Sequence, residues 1–469
     1  DDGAIGDAIR CGRVSRYHYD LGKIRMPFRF LAKALVGAVL VVAPLAALAD
    51  TGSPGYNLGQ VDIGQDSSSL RQSAGPIVYA TGNLVVAKTD FSGKGEMALF
   101  LTRTFNNYWG GVGIFGAKWQ SNFDYKLSFN SSSASGVCYP KPGAVCATPP
   151  TGTTNLVLWA HLPDGRRIKY VYNAAQGRWL ETKPSPIAYI VRNSDGSYSL
   201  HNDHQGVERY SAAGYVMSIV DAQNVGWTFA YGANNYLASV THSNGRKVRF
   251  TWTGNQLTTV TDPGGNQYSF AYTANALGAG LNLLSQTTGT SAVGMTTTTS
   301  YVYADSRFPG ALTNIVQDAE SFANFAYDAN GNAYTMGLGA NGQYNNPTFV
   351  YTPGANNTLS VLATNPLGRQ TTYTFVNGLV TSATGTGGAH VPDASMSHSY
   401  DANGYDRQVT DWNGNVTAYS YAANGQLQQK VEASGQPEAR TTNYVWDGTA
   451  GTNRLLKGIV GGDHETDYT

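Results

Sequence analysis

Apolar and polar residues alternate over short stretches of this chain. Residues 97–101 carry Met, Leu and Leu at alternate positions, and residues 123–129 carry Phe, Tyr, Leu and Phe. A period of two predicts β-strands with one buried face. Turn signals such as Ser194-Asp195-Gly196 separate these runs. No stretch beyond residue 50 has a sustained helical period, so the pattern predicts an all-β fold.

Further along the chain, the alternation becomes a repeat led by an aromatic residue. Tyr210, Tyr231, Trp252 and Tyr272 lead successive copies at spacings of 21, 21 and 20 residues. Later copies, at looser intervals, begin at Tyr327, Tyr351, Tyr373, Tyr400 and Tyr421. Each copy contains two turn signals, so one copy corresponds to one β-hairpin.

Residues 400–421 show the two turns most clearly. Asn403-Gly404 and Asn413-Gly414 are Asn-Gly pairs, which favour type I′ turns because both central residues of such a turn need positive φ. The spacing returns the chain to the same edge of the sheet one hairpin further along. We therefore expect Tyr400 and Tyr421 to lie on the same face.

Consecutive hairpins of this kind must pair with one another, because an isolated hairpin is marginally stable in water. Residues 210–446 would supply roughly 20 strands, or a sheet about 100 Å wide at about 4.8 Å per strand. Open twisted sheets rarely exceed about ten strands. The prediction is a single curled or spiral sheet with the leading aromatics stacked along one face, forming a partial shell.

Composition narrows the function. Charged residues make up 13% of the chain and the formal net charge is zero. This balance gives no electrostatic reason to expect binding to nucleic acid or to an anionic membrane surface. The 55 glycines and 30 tyrosines suit many short strands joined by tight turns.

Residues 26–49 have the pattern of a secretory signal peptide. A basic start precedes an apolar run at 34–45, and Ala47-Leu48-Ala49 predicts cleavage between Ala49 and Asp50. The alternative is a membrane anchor, but the apolar stretch is shorter than a typical span. We therefore expect export to the periplasm, the cell surface or the medium, with no stable membrane span.

The domain organisation follows from these patterns. Residues 1–25 are interpreted as an over-extended start ahead of Met26, and residues 50–75 as a flexible lead-in. An N-terminal β module is expected over 76–200 and the repeat array over 201–469.

Export makes the cysteines informative. Cys138 and Cys146 flank a short loop rich in Pro and Gly, and Cys11 would be absent from the mature protein. In an oxidising compartment we expect a disulfide that closes this loop, with two unpaired thiols as the alternative.

Candidate chemistry is sparse. His201 and His204 flank a dense polar cluster, but a metal site would need further ligands and a turn that brings both side chains together. We predict no catalytic, metal-binding or cofactor-binding residues.

The repeat resembles the YD repeat of Rhs and teneurin-like proteins. Tyr327-Asp328-Ala329-Asn330-Gly331 and Tyr400-Asp401-Ala402-Asn403-Gly404 match it best. The segments at 80–91, 101–107 and 116–125 resemble, in order, the N-terminal module of Rhs proteins. The resemblance implies a spiral β-sheet that forms a hollow shell, which in bacterial Rhs proteins encloses a toxin.

The chain also departs from that family. The sequence shows neither the family's closing segment, which processes the polypeptide, nor a toxin domain. We interpret it as a fragment, a degraded copy, or a partial shell that needs a partner. The first hypothesis is a non-enzymatic shell or surface protein, with a toxin domain or a downstream chain as its partner. The alternatives are a surface protein that binds cell-wall glycans and, least favoured, an enzyme that acts on polysaccharide.

Overall fold

The computed structural model describes most of the chain from residue 76 onward. The described residues are 76–131, 156–163, 165, 167–182, 186–202, 206–274, 276–278, 280–290, 294, 296–388, 392–402, 404–422, 426–446, 456–461 and 464–467. The predicted signal peptide, its Ala49–Asp50 cleavage site, Cys138 and Cys146 lie outside these residues. Within the described part of the chain, no helix is long and apolar enough to cross a membrane.

The first strands form two small sheets. The larger has four strands in the order β1 (Ile77–Val78), β2 (Asn83–Ser92), β3 (Phe100–Asn106) and β6 (Trp119–Ser121). The smaller pairs β4 (Val112–Gly113) with β5 (Gly116–Ala117). Residues 76–125, which contain both sheets, are called the small module below.

All later strands belong to one antiparallel sheet, in which each strand pairs with the strand before it. They are β7 Lys126–Ser131, β8 Leu156–His161, β9 Arg167–Asn173, β10 Arg178–Glu181, β11 Tyr189–Arg192, β12 Tyr198–His201, β13 Val207–Tyr210, β14 Val216–Val220, β15 Gly226–Tyr231, β16 Leu237–His242, β17 Lys247–Thr253, β18 Gln256–Thr261, β19 Gln267–Thr273, β20 Leu283–Thr290, β21 Thr296–Val302, β22 Asn314–Gln317, β23 Glu320–Tyr327, β24 Ala333–Leu338, β25 Thr348–Pro353, β26 Thr358–Thr364, β27 Gln370–Val376, β28 Leu379–Gly385, β29 Ala394–Tyr400, β30 Asp406–Thr410, β31 Val416–Tyr421, β32 Leu427–Glu432, β33 Arg440–Trp446, β34 Leu456–Gly461 and β35 His464–Asp467. The predicted all-β fold of consecutive antiparallel hairpins is confirmed.

The sheet curls and stays open. The backbone N–H of Leu127 in β7 donates to the carbonyl of Gly214, just before β14, at 2.9 Å. Within the described residues, β35 pairs with β34 and not with β7. The free edge of β7, the first strand of this sheet, therefore meets the same sheet again several strands later. Such curling is expected of a sheet too wide to stay flat.

The large sheet begins earlier in the chain than the sequence indicated. The expected N-terminal module was 76–200, but the strands from Lys126 onward already belong to the sheet of the repeats. Strands β7–β12 lack the aromatic-led repeat, although they pair in the same antiparallel manner. Backbone pairing does not require the repeat, so the repeat pattern did not reveal where the sheet starts.

The repeat turns are built on the aspartate rather than on a type I′ geometry. Asp328 Oδ1 accepts the backbone N–H groups of Asn330 and Asn332 at 2.8 and 2.9 Å. Gly331 has a φ of 84°, whereas Asn330 is not in the positive-φ region. Because the carboxylate satisfies the turn's donors, a single left-handed residue is enough. At Asn413-Gly414, too, only the glycine is in the positive-φ region, so the type I′ expectation is wrong there, while Asn403 lies outside the described residues.

The turn at 401–405 follows the same scheme. Asp401 Oδ1 accepts the N–H of Tyr405 at 3.0 Å, and Gly404 has a φ of 80°. Of the Asn-Gly pairs in the described residues, Asn377-Gly378 alone has positive φ at both positions, 52° and 81°. The expectation of tight turns at Gly404 and Gly414 is confirmed, since both N–H groups donate back three residues at 3.0 Å.

Most leading aromatics mark a shift in strand register, and several aromatic side chains donate a hydrogen bond to the preceding strand. The register shifts by one residue beside Tyr210, Tyr231, Trp252, Tyr272, Tyr327, Tyr400, Tyr421 and Trp446. The side chain donates at 2.6–2.8 Å to a backbone carbonyl, from Trp252 to Leu237, Tyr272 to Leu257, Tyr303 to Leu284, Tyr327 to Leu312, Tyr351 to Ala333, Tyr400 to Val380 and Trp446 to Leu427. These bonds lie where backbone pairing has already stopped, so they hold together the separating ends of neighbouring strands. We call the series the aromatic ladder.

Strand register places Tyr400 and Tyr421 on one face, as expected. Tyr400 shares its face with His398, which is opposite Val409, and Val409 is opposite Thr417. Tyr421 follows Thr417 at an even spacing on the same strand. Paired residues and every second residue point to the same side of a sheet. We call this side the inner face, because it carries the buried core.

Candidate functional site

The small module packs against the inner face of the sheet. Phe100 and Phe123 lie 5.8 and 5.4 Å from the ring of Trp227 on β15, between ring centroids. At the other end, the ring of Tyr79 lies 5.1 Å from that of Tyr373 on β27. Strands β15–β27 therefore share an apolar core with one segment of their own chain.

The contacts advance in order along the β2–β3 hairpin. On β3, Phe100 meets Trp227, and the later residue Phe105 lies 6.2 Å from Tyr303. On β2 the order runs toward the N-terminus. Phe91 meets Tyr268, Lys88 lies over Phe322, and the backbone of Gly82 accepts from Ala333. Later strands of the sheet therefore contact positions progressively closer to the open end of the hairpin.

A buried ion pair lies near the middle of this interface. Arg103 of β3 donates to both carboxylate oxygens of Asp90 at 2.6 and 2.7 Å, and to the hydroxyl of Tyr301 on β21 at 2.9 Å. Burial opposes the charge of Arg103, but Asp90 and Tyr301 outweigh it and raise its pKa above the usual value. The guanidinium also lies within 6 Å of the rings of Phe115 and Trp119.

Backbone groups approach closely where β5 meets β20. The N–H of Ala117 donates to the carbonyl of Asn282 at 2.8 Å. A Cβ at Gly116 would lie 2.5 Å from that same oxygen, and Gly116 has a φ of 91°. Glycine is therefore required for this contact on two counts. Nearby, Trp119 donates its indole N–H to the hydroxyl of Tyr303 at 2.8 Å.

A small cavity of about 60 Å³, lined by both apolar and polar side chains, lies where the module joins the sheet. Gln120, Asp124, Lys126 and His161 are among the residues that line it. Burial raises the pKa of Asp124 to about 6 and lowers that of Lys126 to about 6. Within the described residues, Gln120 Oε1 and His161 Nδ1 are buried without a hydrogen-bond partner. These unpartnered polar atoms and this volume suit an ordered water molecule.

Beside this cavity, a serine and a histidine form a hydrogen bond. Ser128 Oγ on β7 lies 2.8 Å from His161 Nε2 on β8, and both side chains are buried. Such a pair is found in hydrolases, where the histidine acts as a base. Here burial, together with the charges of Arg167 and Lys126, lowers the pKa of His161 to about 3. The imidazole is therefore a weak base, and the bond joins two neighbouring strands.

The residues singled out from the sequence are distributed along the sheet rather than gathered at one site. Tyr327 is buried in the aromatic ladder, and Tyr210 is buried with its hydroxyl donating to Glu208, whose pKa burial raises to about 7. Tyr231 packs on Tyr215 with ring centroids 5.3 Å apart. The remaining repeat residues have been placed above in turns or in the ladder, namely Trp252, Asp328, Gly331, Tyr400, Asp401, Gly404 and Tyr421.

The histidine cluster can be followed only in part. His201 stacks on Tyr189 at 4.6 Å between ring centroids, and His204 lies outside the described residues. Among the residues that the structure describes, no three His, Cys, Asp or Glu side chains are grouped as a metal site would need.

The inner face changes character after Met396. Phe375, Val380, Ala383 and Met396 are buried, and Met396 is the last fully buried hydrophobic side chain in the described residues. On β29–β33 the inner face is half-buried and mixes aromatic with charged residues. These include His398 paired with Asp406 at 2.9 Å, Lys430 paired with Glu432 at 2.9 Å, and the stacked rings of Tyr405 and Tyr421.

Sequence reasoning missed Arg103 and the other module residues that bind the sheet. The signal available was the arginine between Leu101 and Phe105 on one face of the strand at 100–106, where a charge on an apolar face indicates a buried partner. Its partners Asp90 and Tyr301 are 13 and 198 residues away, so local spacing could not identify them.

Comparison with known proteins gives one family match. Residues 74–145 match the family model described as a domain of unknown function (DUF6531). This range includes the small module and the segments that carry the resemblance to the Rhs N-terminal module. A search of curated proteins gives no match.

Solved structures that contain TccC3 are similar at low identity. The crystal structure of TcdB2-TccC3-TEV covers 82% of this chain at 11% identity, with a TM-score of 0.39. The Photorhabdus luminescens Tc holotoxin pore with the mutation TccC3-D651A covers 81% at 10% identity, and TcdB2-TccC3 covers 87% at 9%, each with a TM-score of 0.38. The alignments cover 24%, 22% and 26% of those chains, so this chain spans about a quarter of their length.

Proposed function

We propose that the protein is an exported, non-enzymatic structural protein whose curled sheet forms part of a shell. The observation that carries the proposal is the single sheet wound around a module of its own chain. Strands β15–β27 bury their inner face on residues 76–125, and the aromatic ladder joins successive hairpins. The contacts described above serve packing, which is the role expected of a shell wall.

The proposed partner is a polypeptide that the shell encloses, either a toxin domain or a further chain that completes the wall. The inner face of β29–β33 supports this proposal, because it continues the covered face and is only half-buried. Its ion pairs and tyrosines suit a polar occupant more than an apolar plug like the small module.

A photo-crosslinking amino acid tests this partner. It would replace Thr417 on the inner face of β31 and, as the matched control, Ser420 on the outer face of the same strand. We expect Thr417 in the native host to crosslink to one polypeptide that resists added protease, and Ser420 to give no such product. Equal crosslinking from both faces, or none from Thr417, would refute the shell.

Export is part of the same proposal. The apolar run and small-residue cleavage pattern at 34–49 support removal of the signal peptide before Asp50. N-terminal sequencing of periplasmic or secreted protein should begin at Asp50. Cytosolic protein that retains residues 30–49 would contradict it.

A second candidate function is binding of cell-wall or surface carbohydrate. The stacked rings of Tyr405 and Tyr421, with centroids 4.9 Å apart, are half-buried beside ionic groups on the inner face. Aromatic rings next to hydrogen-bonding groups are the usual components of a small-ligand site. Retention on purified cell-wall polysaccharide should fall in Tyr421→Ala and be unchanged in Tyr344→Ala, an exposed tyrosine elsewhere. Equal retention of both variants would exclude this function for the inner face.

A further inference from the structure

One junction in the sheet has unusually little backbone pairing. Thr335 of β24 and Thr348 of β25 are the one pair that joins these strands in the described residues. The flanking junctions, β23–β24 and β25–β26, pair at five and six positions. The equivalent junction between β16 and β17 still pairs at three. The β24–β25 junction is therefore the weakest line in the described sheet.

The loop between the two strands explains the weakness. Leu338 at the end of β24 pairs with Tyr344 of the loop rather than with β25, through backbone bonds of 2.7 and 3.1 Å in the two directions. The donors and acceptors of Leu338 are thus used by its own loop. Two side-chain bonds, from Thr335 to the carbonyl of Pro347 and from Tyr351 to the carbonyl of Ala333, both 2.8 Å, join the strands across the gap.

The small module spans this junction. The N–H of Ala333 on β24 donates to the carbonyl of Gly82 at 2.7 Å. The ring of Tyr79 lies 4.8 Å from that of Phe349 on β25. Tyr108 adds a bond from its hydroxyl to Asn332 Oδ1 at 2.8 Å, just before β24. Residues 77–84 therefore contact both sides of the junction.

We propose that residues 77–84 act as a latch across the β24–β25 junction, and that the sheet separates there when the latch is withdrawn. The proposal rests on the proposed shell function in one respect, since a shell gives the opening of the sheet at this junction a purpose. The latch and the sheet meet without space between them. A Cβ on Gly82 would lie 2.5 Å from Asn332 Cβ, at a φ of 68°. A glycine is needed for this contact, so a side chain added at position 82 offers a direct way to displace the latch.

Hydrogen exchange of the full chain, read by mass spectrometry, tests the latch. Gly82→Ala should increase the exchange of strands 333–338 and 348–353 by roughly tenfold, with little change in β26 and β27. Gly254→Ala is the matched control, because Gly254 has a φ of 61° with open space around its Cβ position. It carries the same backbone strain without the contact, and it should leave the junction unchanged.

A crosslink provides the second measurement. Thr335→Cys with Thr348→Cys places two thiols at the paired positions, and oxidation should return exchange at the junction to its slow rate in the Gly82→Ala background. Unchanged or uniformly faster exchange in Gly82→Ala would overturn the latch. If Gly82→Ala does not fold, Tyr79→Leu replaces it with the same expected result. Failure of the shell would appear as absent crosslinks from Thr417 and would leave these exchange rates as they are.

Discussion

Arg103 and Tyr301 are 198 residues apart in the sequence, yet the guanidinium donates to the hydroxyl at 2.9 Å inside the protein. This contact joins β3 of the small module to β21 of the sheet, and the ion pair with Asp90 on β2 holds the guanidinium in place. Arg103 and Asp90 side chains are only 3% and 12% exposed. Loss of the arginine would therefore leave a carboxylate in a poorly hydrated site.

Replacing that arginine should be costly. We expect Arg103→Met to lower the free energy of unfolding by about 3–5 kcal/mol, because the buried carboxylate of Asp90 loses its partner. Urea denaturation measures the loss. Arg209→Met is the control, since the Arg209–Asp195 pair is exposed on both sides and should change stability by less than about 1 kcal/mol. Similar losses in the two variants would show that the buried pair does not stabilise the interface.

The aromatic ladder makes a prediction about a single oxygen atom. Tyr327→Phe removes the donor to the buried carbonyl of Leu312 and leaves the ring in place. We expect a loss of about 1–2 kcal/mol in urea denaturation. Tyr344→Phe alters an exposed hydroxyl, since Tyr344 is 56% exposed, and should be close to neutral. A neutral Tyr327→Phe would mean that ring packing alone holds the ladder.

Backbone conformation at the turns can be tested apart from crowding. Gly414 has a φ of 83°, Gly388 lies outside the positive-φ region, and a Cβ at either position meets no atom within 4 Å. We expect Gly414→Val to cost about 1–2 kcal/mol, because a β-branched residue resists positive φ. Gly388→Val should cost clearly less in the same denaturation experiment. Equal costs would indicate that the turn tolerates another conformation.

The burial of Lys126 should make the stability of the protein depend on pH. Burial lowers its pKa to about 6 in the folded protein, whereas the pKa of an unfolded lysine is about 10.4. Between these values the unfolded chain binds more protons than the folded one, so the contribution of Lys126 to stability rises with pH. Lys126→Met should therefore stabilise the protein most near pH 6 and least near pH 10.

Urea denaturation at several pH values between these limits measures this difference. Lys169→Met serves as the control, because Lys169 is exposed on β9, and its effect should vary little over the same range. A constant difference between Lys126→Met and the native protein would show that Lys126 is charged when folded.

The cysteines give a prediction that depends on export. In exported protein, Cys138 and Cys146 should be joined and should not react with a thiol reagent under denaturing, non-reducing conditions. Reduction before denaturation should expose both thiols. Labelling of both without reduction would rule out the bond.

The repeat and its pairing could be predicted from the sequence because they depend on local spacing. Tyr400 and Tyr421 share a face since alternation and turn spacing fix the direction of side chains. The register shifts beside the aromatics could not be predicted, because a bulge changes the backbone without changing residue type. The hydrogen bonds of the aromatic ladder could not be predicted either. The acceptor for a residue such as Tyr272 is a main-chain carbonyl, and every residue has one.

The small module was the part least accessible to sequence reasoning. Its strands alternate like the others, so the pattern at 83–92 gave no sign that β2 is enclosed by the sheet. Such contacts as Tyr79 with Phe349 join residues far apart in the chain, and no single sequence encodes their proximity in a local period.

The order of contacts along the β2–β3 hairpin has a consequence for biosynthesis. The hairpin is translated before the strands that cover it, and those strands reach it in the order of the chain. A nascent polypeptide can therefore add each new hairpin to a surface that already exists, from the ribosome or a translocon outward. In a circular permutant with residues 76–125 moved behind residue 467, the small module would be made last. It would have to insert into a sheet that has already formed.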